Sequence, residues 1–406
     1  MTKLTIDNLL ADNLIKGKNV LVRVDFNVPL DANRNITDFK RIVESVPTIK
    51  AIINNGGKCI LMSHLGRPKG EKNPKYSLDV VAEFLSKYLD SRVLFSDDCI
   101  SPVNKEVIKN MHPGDVLLLE NLRFYKEEEK NNPEFAQKLA AYGDVYVNDA
   151  FGTAHRAHAS TEGVTHFIKI CAAGYLMEKE LKYLSAAINN PKRPLTAILG
   201  GSKISGKIDV LENLLNIADK ILIGGGMMYT FYKSMGLNIG KSILEEDKIE
   251  LAKEVLNKAK ALKKELLLPL DFVIADKFEN SANKKTVAFD KMTDDLNEWM
   301  GMDIGEMTIE LFKKEILNSG TIVWNGPMGV FEMDSFSKGT FEIAKALADA
   351  TSKGAVTIIG GGDSASAIAK AGLEDKVSHV STGGGASLEF LEGKLLPGVE
   401  ALSNAD

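Results

Sequence analysis

The stretch VNDAFGTAHRAHAS (147–160) follows an apolar, strand-like run and places His155, Arg156 and His158 within four positions. Two imidazoles and a guanidinium so close together could bind a metal ion, bind an anion, or pack and hydrogen-bond within the fold. No third histidine, cysteine or carboxylate pair completes a metal-ligand set in the sequence, and nearby arginines would repel a cation. The pattern therefore favours an anion site, while the other two interpretations stay open.

Further basic and polar side chains stand where the strand-like runs of the first half end. Ligands of parallel α/β sheets bind at the carboxyl ends of the strands. A single arginine is more often an ion-pair partner, but a guanidinium suits carboxylate and phosphate, so the coincidence predicts a site for a small polyanion. Besides the residues at 155–158, the set comprises Arg23, Asp25, Asn27, Arg41, His64, Arg67 and Arg123.

Glycine-rich turns replace the arginines in the second half of the chain. GG occurs at 200–201, and GGG occurs at 224–226, 360–362 and 383–385. Such turns at strand ends predict a nucleotide surface built from backbone N–H groups. The turn at 360–362 also matches the dinucleotide fingerprint through Ala365, but the next strand-like run ends in Ser381 and Thr382 and lacks the acidic residue that would hold a ribose.

The segment GGSKISGKIDV (200–210) has the spacing of a phosphate-binding P-loop in Gly201, Gly206 and Lys207, but Ile208 stands where a magnesium-binding hydroxyl belongs. We interpret that spacing as a coincidence. Lys203 and Lys207 are expected one helical turn apart beside the glycine turn, where they could face phosphates or be ordinary surface lysines. Cations are disfavoured at a helix start unless an anion is present, which favours the phosphate interpretation.

Apolar strand-like runs alternate with helical patterns along almost the whole chain. This alternation predicts an α/β fold with two doubly wound, Rossmann-like parallel-sheet lobes joined by a helix and hinge. The expected lobes are 1–175 with a C-terminal tail from about 395 to 406, and 191–394, with a linker helix in 176–190 that ends before NNPKRP. The strand-like runs lie at 19–26, 58–65, 92–97, 115–124, 144–151, 195–201, 219–226, 266–275, 321–327, 355–362 and 377–385.

Composition narrows the class of protein further. The chain has 406 residues, a net charge of -5 and three widely spaced cysteines. A global basic field for nucleic acid or membrane is absent, and a disulfide framework is not expected. The N-terminal sequence does not have the pattern of a signal peptide, and no apolar stretch reaches the length of a membrane span. We expect a cytoplasmic protein.

Nine short motifs together resemble phosphoglycerate kinase, in the order in which that family has them. They are RVDFNVP, SHLGRP, ENLRF, GTAHRAH, GGSK, LPLDFV, VWNGPMGVFE, GGGDS and VSHVSTGGGASLE, and they run from about residue 20 to 398. The resemblance implies a monomeric, two-lobed kinase that transfers a phosphoryl group between 1,3-bisphosphoglycerate and ADP, with Mg²⁺ as cofactor and hinge-bending closure. It also implies that the C-terminal tail packs on the first lobe.

The resemblance assigns roles to residues of both lobes. It implies phosphoglycerate contacts from Asp25, Asn27, Arg41, His64, Arg67, Arg123 and Arg156. It implies ATP or ADP contacts from Lys207, Gly224, Gly225, Gly301, Asn325, Glu332, Gly361, Gly362, Asp363 and Ser364, with Asp363 at the Mg²⁺ that the nucleotide phosphates mainly hold. Four positions depart from the family pattern, namely Ser202, Gly206, Met228 and Glu306, and the last two bear on the adenine pocket.

The acceptor of such a kinase is a carboxylate that is already ionised at neutral pH, so no general base is required. We expect catalysis by positioning and charge neutralisation, from Arg41, Lys203 and the backbone N–H groups of Gly383, Gly384 and Gly385. Two rivals remain at this stage. One is an NAD-dependent dehydrogenase, which the missing ribose carboxylate disfavours, and the other is an anion-binding or scaffolding protein without transferase activity.

Overall fold

The computed structural model describes residues 2–405, and the chain divides into two compact units. One unit comprises Met1–Leu181 and Leu395–Asp406, and the other comprises Lys182–Lys394. The boundary between them falls within one helix, α7 (Tyr175–Asn189). Each unit is built around its own parallel sheet, so each can position a set of side chains at the carboxyl edge of its strands.

The first unit contains a six-stranded sheet of order β3-β4-β2-β1-β5-β6, in which every pairing is parallel. Its strands are β1 (Asn19–Val24), β2 (Lys58–Met62), β3 (Val93–Ser96), β4 (Val116–Leu119), β5 (Val145–Asp149) and β6 (Cys171–Ala173). Its helices before α7 are α1 (Ile6–Ala11), α2 (Lys40–Asn54), α3 (Asp79–Leu89), α4 (Val103–Asn110), α5 (Lys126–Glu129) and α6 (Pro133–Ala140).

The central strands are buried along almost their whole length because both faces of the sheet are covered. Val20, Val22 and Val24 of β1 pack with Leu61 of β2 and Val147 of β5 in one apolar core. β-branched residues favour this pleated, buried setting. Against this background Arg23, a buried arginine near the carboxyl end of β1, is an exception that the site must explain.

The second unit also contains a six-stranded parallel sheet, of order β15-β14-β13-β7-β8-β9. Its strands are β7 (Leu195–Leu199), β8 (Lys220–Ile223), β9 (Glu265–Leu267), β13 (Thr321–Asn325), β14 (Val356–Gly360) and β15 (His379–Val380). A separate antiparallel sheet of order β11-β10-β12 consists of β10 (Asp271–Ala275), β11 (Lys284–Ala288) and β12 (Met300–Ile304).

The helices of the second unit connect these strands, and the chain then returns to the first unit. They are α8 (Ile208–Ile217), α9 (Met227–Ser234), α10 (Ile249–Ala261), α11 (Glu306–Leu317), α12 (Lys338–Ser352), α13 (Gly362–Lys370) and α14 (Gly385–Leu391), followed by α15 (Pro397–Glu400). In the returning segment the Gly398 N–H donates to the Ala154 carbonyl at 2.8 Å, and the Ser403 N–H donates to the Cys171 carbonyl at 2.9 Å. The C-terminus thereby supports the loop that carries His155 and Arg156.

The α/β class with two parallel sheets is confirmed, but the small antiparallel sheet differs from the sequence prediction. Residues 266–275 were expected to form one strand, whereas the chain forms β9 and then β10 in a different sheet. Pro269 separates them, because proline has no N–H to donate to a sheet ladder. β11 and β12 were missed because β11 is largely exposed and begins with two lysines, and β12 contains a glycine.

Asp271 connects this antiparallel sheet to helix α11. Its carboxylate accepts the Met307 N–H at 3.1 Å and the Thr308 N–H at 2.9 Å, and the Thr308 hydroxyl also donates to it at 2.7 Å. A Cβ at Gly305 would lie only 2.3 Å from the Asp271 carboxyl group. The first turn of α11 therefore depends on a buried carboxylate from β10.

Asp271→Ala is expected to lower the free energy of unfolding of the second unit by about 2–3 kcal/mol, because two helix N–H groups lose their acceptor. Asp276→Ala, at the exposed end of β10, is the matched control and should cost less than about 1 kcal/mol. Both tryptophans, Trp299 and Trp324, belong to this unit, so denaturant unfolding followed by tryptophan fluorescence reports on it. Equal effects of the two variants would contradict the role of Asp271.

Candidate active site

Asp25, Asn27, Arg41 and Gly66 are connected at the carboxyl edge of the first sheet. Arg41 Nη1 lies 2.6 Å from Asp25 Oδ2, and the Asn27 N–H donates to Asp25 Oδ1 at 3.2 Å. The Gly66 N–H donates to Asn27 Oδ1 at 2.8 Å, which holds the loop that follows β2. Asp25 therefore orients the Arg41 side chain, and Asn27 orients the turn before Arg67.

Arg23 forms the buried support of this edge, with only 1% of its surface exposed. Its Nε–H donates to Ser160 Oγ at 2.8 Å, its Nη1 to the Val24 carbonyl, and its Nη2 lies 3.1 Å from His64 Nδ1. The Ser160 hydroxyl in turn donates to Glu128 Oε1 at 2.6 Å. Arg23 was expected at a strand exit, whereas Glu128 and Ser160 were not predicted, because their contact joins residues 32 positions apart.

Arg123, Arg156 and Arg67 supply the remaining positive charge. Arg123 is buried, donates to the Gly66 carbonyl at 3.1 Å and lies 3.5 Å from Glu129 Oε1. Burial lowers the pKa of Arg123, and among the neighbouring charges Glu129 opposes this effect while Arg156 adds to it. Arg156 and Arg67 are exposed. Within residues 2–405 no side-chain hydrogen bond or ion pair engages either of them, so both are available to an anion.

His64 and His158 are uncharged at neutral pH. Burial lowers the pKa of His158 to about 4, and the charges of Arg23, Arg123 and Arg156 act in the same direction. Burial, with Arg23, Arg123 and Arg41, holds the pKa of His64 well below its usual range. Among the described residues no group of three or more His, Cys, Asp or Glu side chains is arranged to hold a metal ion. The positive charge of the site is therefore carried by its arginines.

In the second unit the glycine turns are in close backbone contact with one another. Gly225 has a positive φ of 66°, and a Cβ there would lie 2.5 Å from the Gly201 nitrogen. Gly326 has a φ of 99°, and its Cβ would lie 2.3 Å from the Gly200 oxygen. The Gly201 N–H donates to the Pro327 carbonyl at 2.9 Å, so the turns after β7, β8 and β13 interlock through backbone.

Lys207 and Asn325 meet beside the start of α13. The Lys207 ammonium group donates to Asn325 Oδ1, while Asn325 Nδ2 is buried without a hydrogen-bond partner in the described chain. Burial lowers the pKa of Lys207 to about 8, and the charge of Asp363 partly opposes this. Asp363 itself is exposed in the first turn of α13. A lysine ammonium group, an amide and helix N–H groups therefore lie close together at the start of α13.

The expected helical spacing of Lys203 and Lys207 is wrong. Helix α8 begins only at Ile208, so both lysines lie in the preceding loop. Lys207 is half-buried against Asn325, whereas Lys203 is exposed and forms no hydrogen bond or ion pair within residues 2–405. The loop does not continue the helix because Gly206 removes the conformational preference that a side chain would provide.

A cavity of about 470 Å³ opens next to the interlocked turns. Of the residues assigned from the sequence, Gly225, Gly301, Glu332 and Asp363 line it. Its other lining residues are Gly201, Ser202, Gly226, Met228, Tyr229, Lys241, Ile243, Phe278, Met300, Met302, Asp303, Pro327, Met328, Gly329 and Val330. One part is thus apolar and rich in methionine, and another carries carboxylates, as expected of a small-molecule site.

The other residues assigned to the nucleotide lie outside this lining. Gly224 packs on Met328, since a Cβ there would lie 2.5 Å from the Met328 sulfur. Gly361 has a φ of 85° and directly precedes α13, and the buried Ser364 hydroxyl accepts the Gly326 N–H at 2.6 Å. Lys207, Asn325 and Gly362 stand beside them, around the start of α13.

The turn before α14 contains the three glycines to which the sequence analysis gave a catalytic role. Gly384 has a φ of 52° and directly precedes α14, which begins at Gly385. The Gly383 N–H donates to Ser381 Oγ at 3.1 Å, so that amide is already engaged. Their proposed contribution to catalysis therefore concerns Gly384 and Gly385 more than Gly383.

The departures from the family pattern fall in different places. Met228 and Ser202 line the cavity and can shape it directly. Glu306 begins α11 and pairs with Lys338, outside the cavity lining, and Gly206 faces open space. Of the two positions expected to bear on the adenine pocket, only Met228 reaches the cavity.

Asp303 and Tyr229, which the sequence analysis did not single out, lie at the buried wall of the cavity. Asp303 Oδ2 accepts the Gly339 N–H at 2.7 Å, and a Cβ at Gly329 would lie 2.2 Å from Oδ1. Burial raises the pKa of Asp303 to about 7. The Tyr229 hydroxyl occupies the space where Gly301 would otherwise carry a Cβ.

Comparison with known proteins identifies the family. The sequence profile described as phosphoglycerate kinase matches residues 10–394. The chain belongs to the phosphoglycerate kinase family. It is 59% identical over 395 residues to the phosphoglycerate kinase of Chlorobaculum tepidum, covering 97% of this chain and 99% of that protein. It is 58% identical over 405 residues to that of Chloroherpeton thalassium, covering 100% of both.

Solved phosphoglycerate kinase structures have the same fold. That from Coxiella burnetii superposes with a TM-score of 0.89 at 42% identity and covers 98% of both chains. That from Pyrococcus horikoshii superposes with a TM-score of 0.82 at 33% identity, covering 99% of this chain and 98% of that one. The resemblance that the motifs indicated is confirmed, and with it the expectation of a kinase. None of the helices described between residues 2 and 405 is long and apolar enough to cross a membrane.

The buried Asp303 of this phosphoglycerate kinase family member makes its stability depend on pH. The carboxyl group has a pKa of about 7 when folded and about 3.8 when unfolded, so the folded state retains a proton that the unfolded state releases. The stability that this group contributes is therefore complete below about pH 4 and is lost as pH rises through 7. The loss is on the order of 4 kcal/mol.

We expect Asp303→Asn to remove this component, since the amide does not titrate. Relative to the native protein, the variant should gain on the order of 4 kcal/mol in free energy of unfolding between pH 4 and 8. Tryptophan-detected urea unfolding of both proteins across that range measures the difference. A difference that does not change with pH would contradict the buried, protonated state of Asp303.

Proposed function

We propose that the protein catalyses reversible phosphoryl transfer between 1,3-bisphosphoglycerate and ADP, giving 3-phosphoglycerate and ATP, in glycolysis and gluconeogenesis. The main support for this proposal is that this family member has two separate and chemically distinct sites. One unit offers exposed and buried arginines at a sheet edge, and the other offers an apolar cavity next to a lysine and a helix start. These suit a small polyanion and a nucleotide respectively.

In the first unit, Asp25, Asn27, Arg41, His64, Arg67, Arg123 and Arg156 are the proposed phosphoglycerate contacts. The preorganised contacts of Arg41 with Asp25 and of Arg123 with Gly66 support this assignment, because little side-chain freedom is lost on binding. Arg67 and Arg156 are available for bidentate contacts to phosphate or carboxylate oxygens. Asp25 orients Arg41, and its carboxylate can accept a hydrogen bond from the hydroxyl group of the ligand.

In the second unit, the cavity is proposed to hold the base and ribose, with Gly225 and Gly301 at the base and Glu332 at the ribose hydroxyls. Lys207, Asn325 and the start of α13 are proposed to hold the phosphates, with Gly361, Gly362 and Ser364 in the turn. Gly224, which packs on Met328, is proposed to flank the base together with Gly225 and Gly301. The Asp363 carboxylate is exposed beside the cavity and offers the oxygen ligand that Mg²⁺ prefers. Bound together with the nucleotide, Mg²⁺ would neutralise charge on the phosphates.

In the ATP-consuming direction a carboxylate oxygen of 3-phosphoglycerate attacks the γ-phosphorus, and the bond to the β–γ bridging oxygen breaks, releasing ADP. The attacking carboxylate is already ionised, so the site needs no general base. We propose that Arg41, Lys203 and the N–H groups of the turn at Gly383, Gly384 and Gly385 neutralise the transferring group. The exposed Lys203 ammonium group supports this, since it forms no ion pair with any residue between positions 2 and 405.

The two substrates belong to different units, so in-line transfer requires them to be brought together. We propose a hinge-bending closure that also excludes water, which would otherwise hydrolyse the acyl phosphate. We further propose that the protein is a cytoplasmic monomer that acts on these small molecules and not on nucleic acid or membranes. The net charge of -5 and the three free cysteines support this proposal.

A coupled assay with 3-phosphoglycerate and MgATP, read out as ADP release, tests the reaction. Turnover that requires both substrates supports the proposal. ATP or phosphoglycerate binding without turnover would support the binding protein instead, and NAD-dependent oxidation of a hydroxy acid would support the dehydrogenase. Because the dehydrogenase interpretation rests only on a glycine pattern, a separate titration with NAD should show no binding.

Arg41→Ala and Lys203→Ala are each expected to lower turnover by roughly 10²-fold or more, the scale of losing one donor to a transferring group. Arg34→Ala and Lys253→Ala are the matched controls, because Arg34 pairs with Asp79 and Lys253 is exposed on α10. Both controls should keep normal turnover in the coupled assay. Near-normal turnover in either site variant would remove that residue from the proposed mechanism.

Lys207 should make nucleotide affinity depend on pH near 8. Its pKa is lowered to about 8, so the ammonium group is charged below that pH and neutral above it. ADP binding is therefore expected to weaken by up to about tenfold between pH 7 and 9, and Lys207→Met should remove this dependence. Lys241→Met, at the cavity wall, should retain it. Calorimetric ADP titration measures both, and an unchanged slope in Lys207→Met would contradict the assignment.

A further inference from the structure

The direction of every hydrogen bond around Arg23 is determined by chemistry. A guanidinium group has donors only, so His64 Nδ1, which lies 3.1 Å from Arg23 Nη2, must act as an acceptor. On the other side, Ser160 Oγ accepts from Arg23 Nε and donates its own proton to Glu128 Oε1. The bonds therefore run outward from Arg23, to His64 Nδ1 on one side and through Ser160 to the buried Glu128 carboxylate on the other.

Only one protonation state of the His64 imidazole is compatible with this contact. If Nδ1 accepts, the neutral ring carries its proton on Nε2. A proton on Nδ1, in the other tautomer or in the imidazolium ion, would face an Arg23 N–H at 3.1 Å. The Asp25 carboxylate does not reverse this, because its Oδ1 lies 4.0 Å from Nδ1, beyond hydrogen-bond distance.

The other groups that face His64 act in the same direction. Arg23 comes from β1, Arg41 from α2, Arg123 from the turn after β4, and His158 from the loop after β5. All of them oppose a positive charge on the ring, and Asp25 is the carboxylate nearest to it. His64 is 4% exposed, and its Nε2 has no hydrogen-bond partner in the part of the chain that the structure describes. Nε2 is not among the fully buried polar atoms, so its N–H can be reached by a ligand.

We propose that Arg23 is a positioning residue that fixes His64 in its Nε2–H tautomer, so that His64 donates a hydrogen bond to an oxygen of the phosphoglycerate. This inference rests on the proposed function for the identity of the ligand, but not for the tautomer. In this role His64 orients the ligand through a hydrogen bond. It adds no positive charge to the site and does not act as a general base. Binding through His64 should accordingly be independent of pH in the range where an ordinary histidine titrates.

The tautomer can be measured in the full-length protein labelled with ¹⁵N-histidine, with His64→Gln used to assign the signal among the six histidines. Two-bond ¹H–¹⁵N correlations are expected to show an unprotonated Nδ1 and a protonated Nε2, unchanged between about pH 6 and 8. Addition of 3-phosphoglycerate should shift the Nε2 signal. A protonated Nδ1 in the free protein, or an Nε2 signal that does not respond to the ligand, would overturn the proposal.

The role of Arg23 is tested by Arg23→Met combined with Glu128→Gln, so that no unpaired charge is buried. The pair of changes should mix the two tautomers and raise the KM for 3-phosphoglycerate about tenfold, with a smaller effect on kcat and a new pH dependence. Glu128→Gln alone keeps the contact of Arg23 with His64 and should retain the Nε2–H tautomer. An unchanged tautomer in the double variant would overturn the role of Arg23.

These outcomes separate the inference from the proposed function. The wild-type spectrum needs no variant, so it decides the tautomer even if the double variant does not fold. Coupled turnover by the wild-type protein decides the function independently. The tautomer as proposed without any turnover would refute the kinase assignment, whereas turnover with a protonated Nδ1 would refute only the role of Arg23.

Discussion

A buried arginine whose three guanidinium nitrogens are all engaged is the constraint on which the first site depends. Arg23 stands within an otherwise apolar strand, and a charge there is tolerated only when paired and fully hydrogen-bonded. Glu128 and Ser160 meet that requirement from one side, and His64 from the other. Burial, reinforced by the charge of Arg23, lowers the pKa values of His64 and His158, so the arginines nearer the surface carry the attraction for an anion.

The second unit has the same parallel-sheet architecture but forms a different kind of site. Its ligand is expected to be large and partly apolar, and the turns after three strands are drawn together by close backbone contact. The methionine-rich wall and the buried Asp303 then lie at one part of the cavity, while Lys207 and α13 provide the polar surface beside it. The glycines of these turns thus allow the close packing of the backbone, and only some of them also line the cavity.

The parallel strands and the arginine edge could be predicted from sequence because both leave local signals. Buried parallel strands appear as continuous apolar runs, and polar residues follow directly where those runs end. What failed was not local. The antiparallel sheet involves Asp271, which caps the distant start of α11, and the Lys203–Lys207 spacing depends on where α8 begins. Glu128, Ser160, Asp303 and Tyr229 were missed for the same reason, since their partners are distant in the sequence.

The central claim is that the arginine edge of the first unit, organised by Arg23, is a preformed receptor for phosphoglycerate. A crystal structure of the protein grown with 3-phosphoglycerate tests it most directly. The account predicts ligand oxygens within hydrogen-bond distance of Arg41, Arg123 and His64 Nε2, with the contact of Arg23 with His64 unchanged. Ligand bound in the cavity of the second unit, or bound to the first unit away from these arginines, would contradict it.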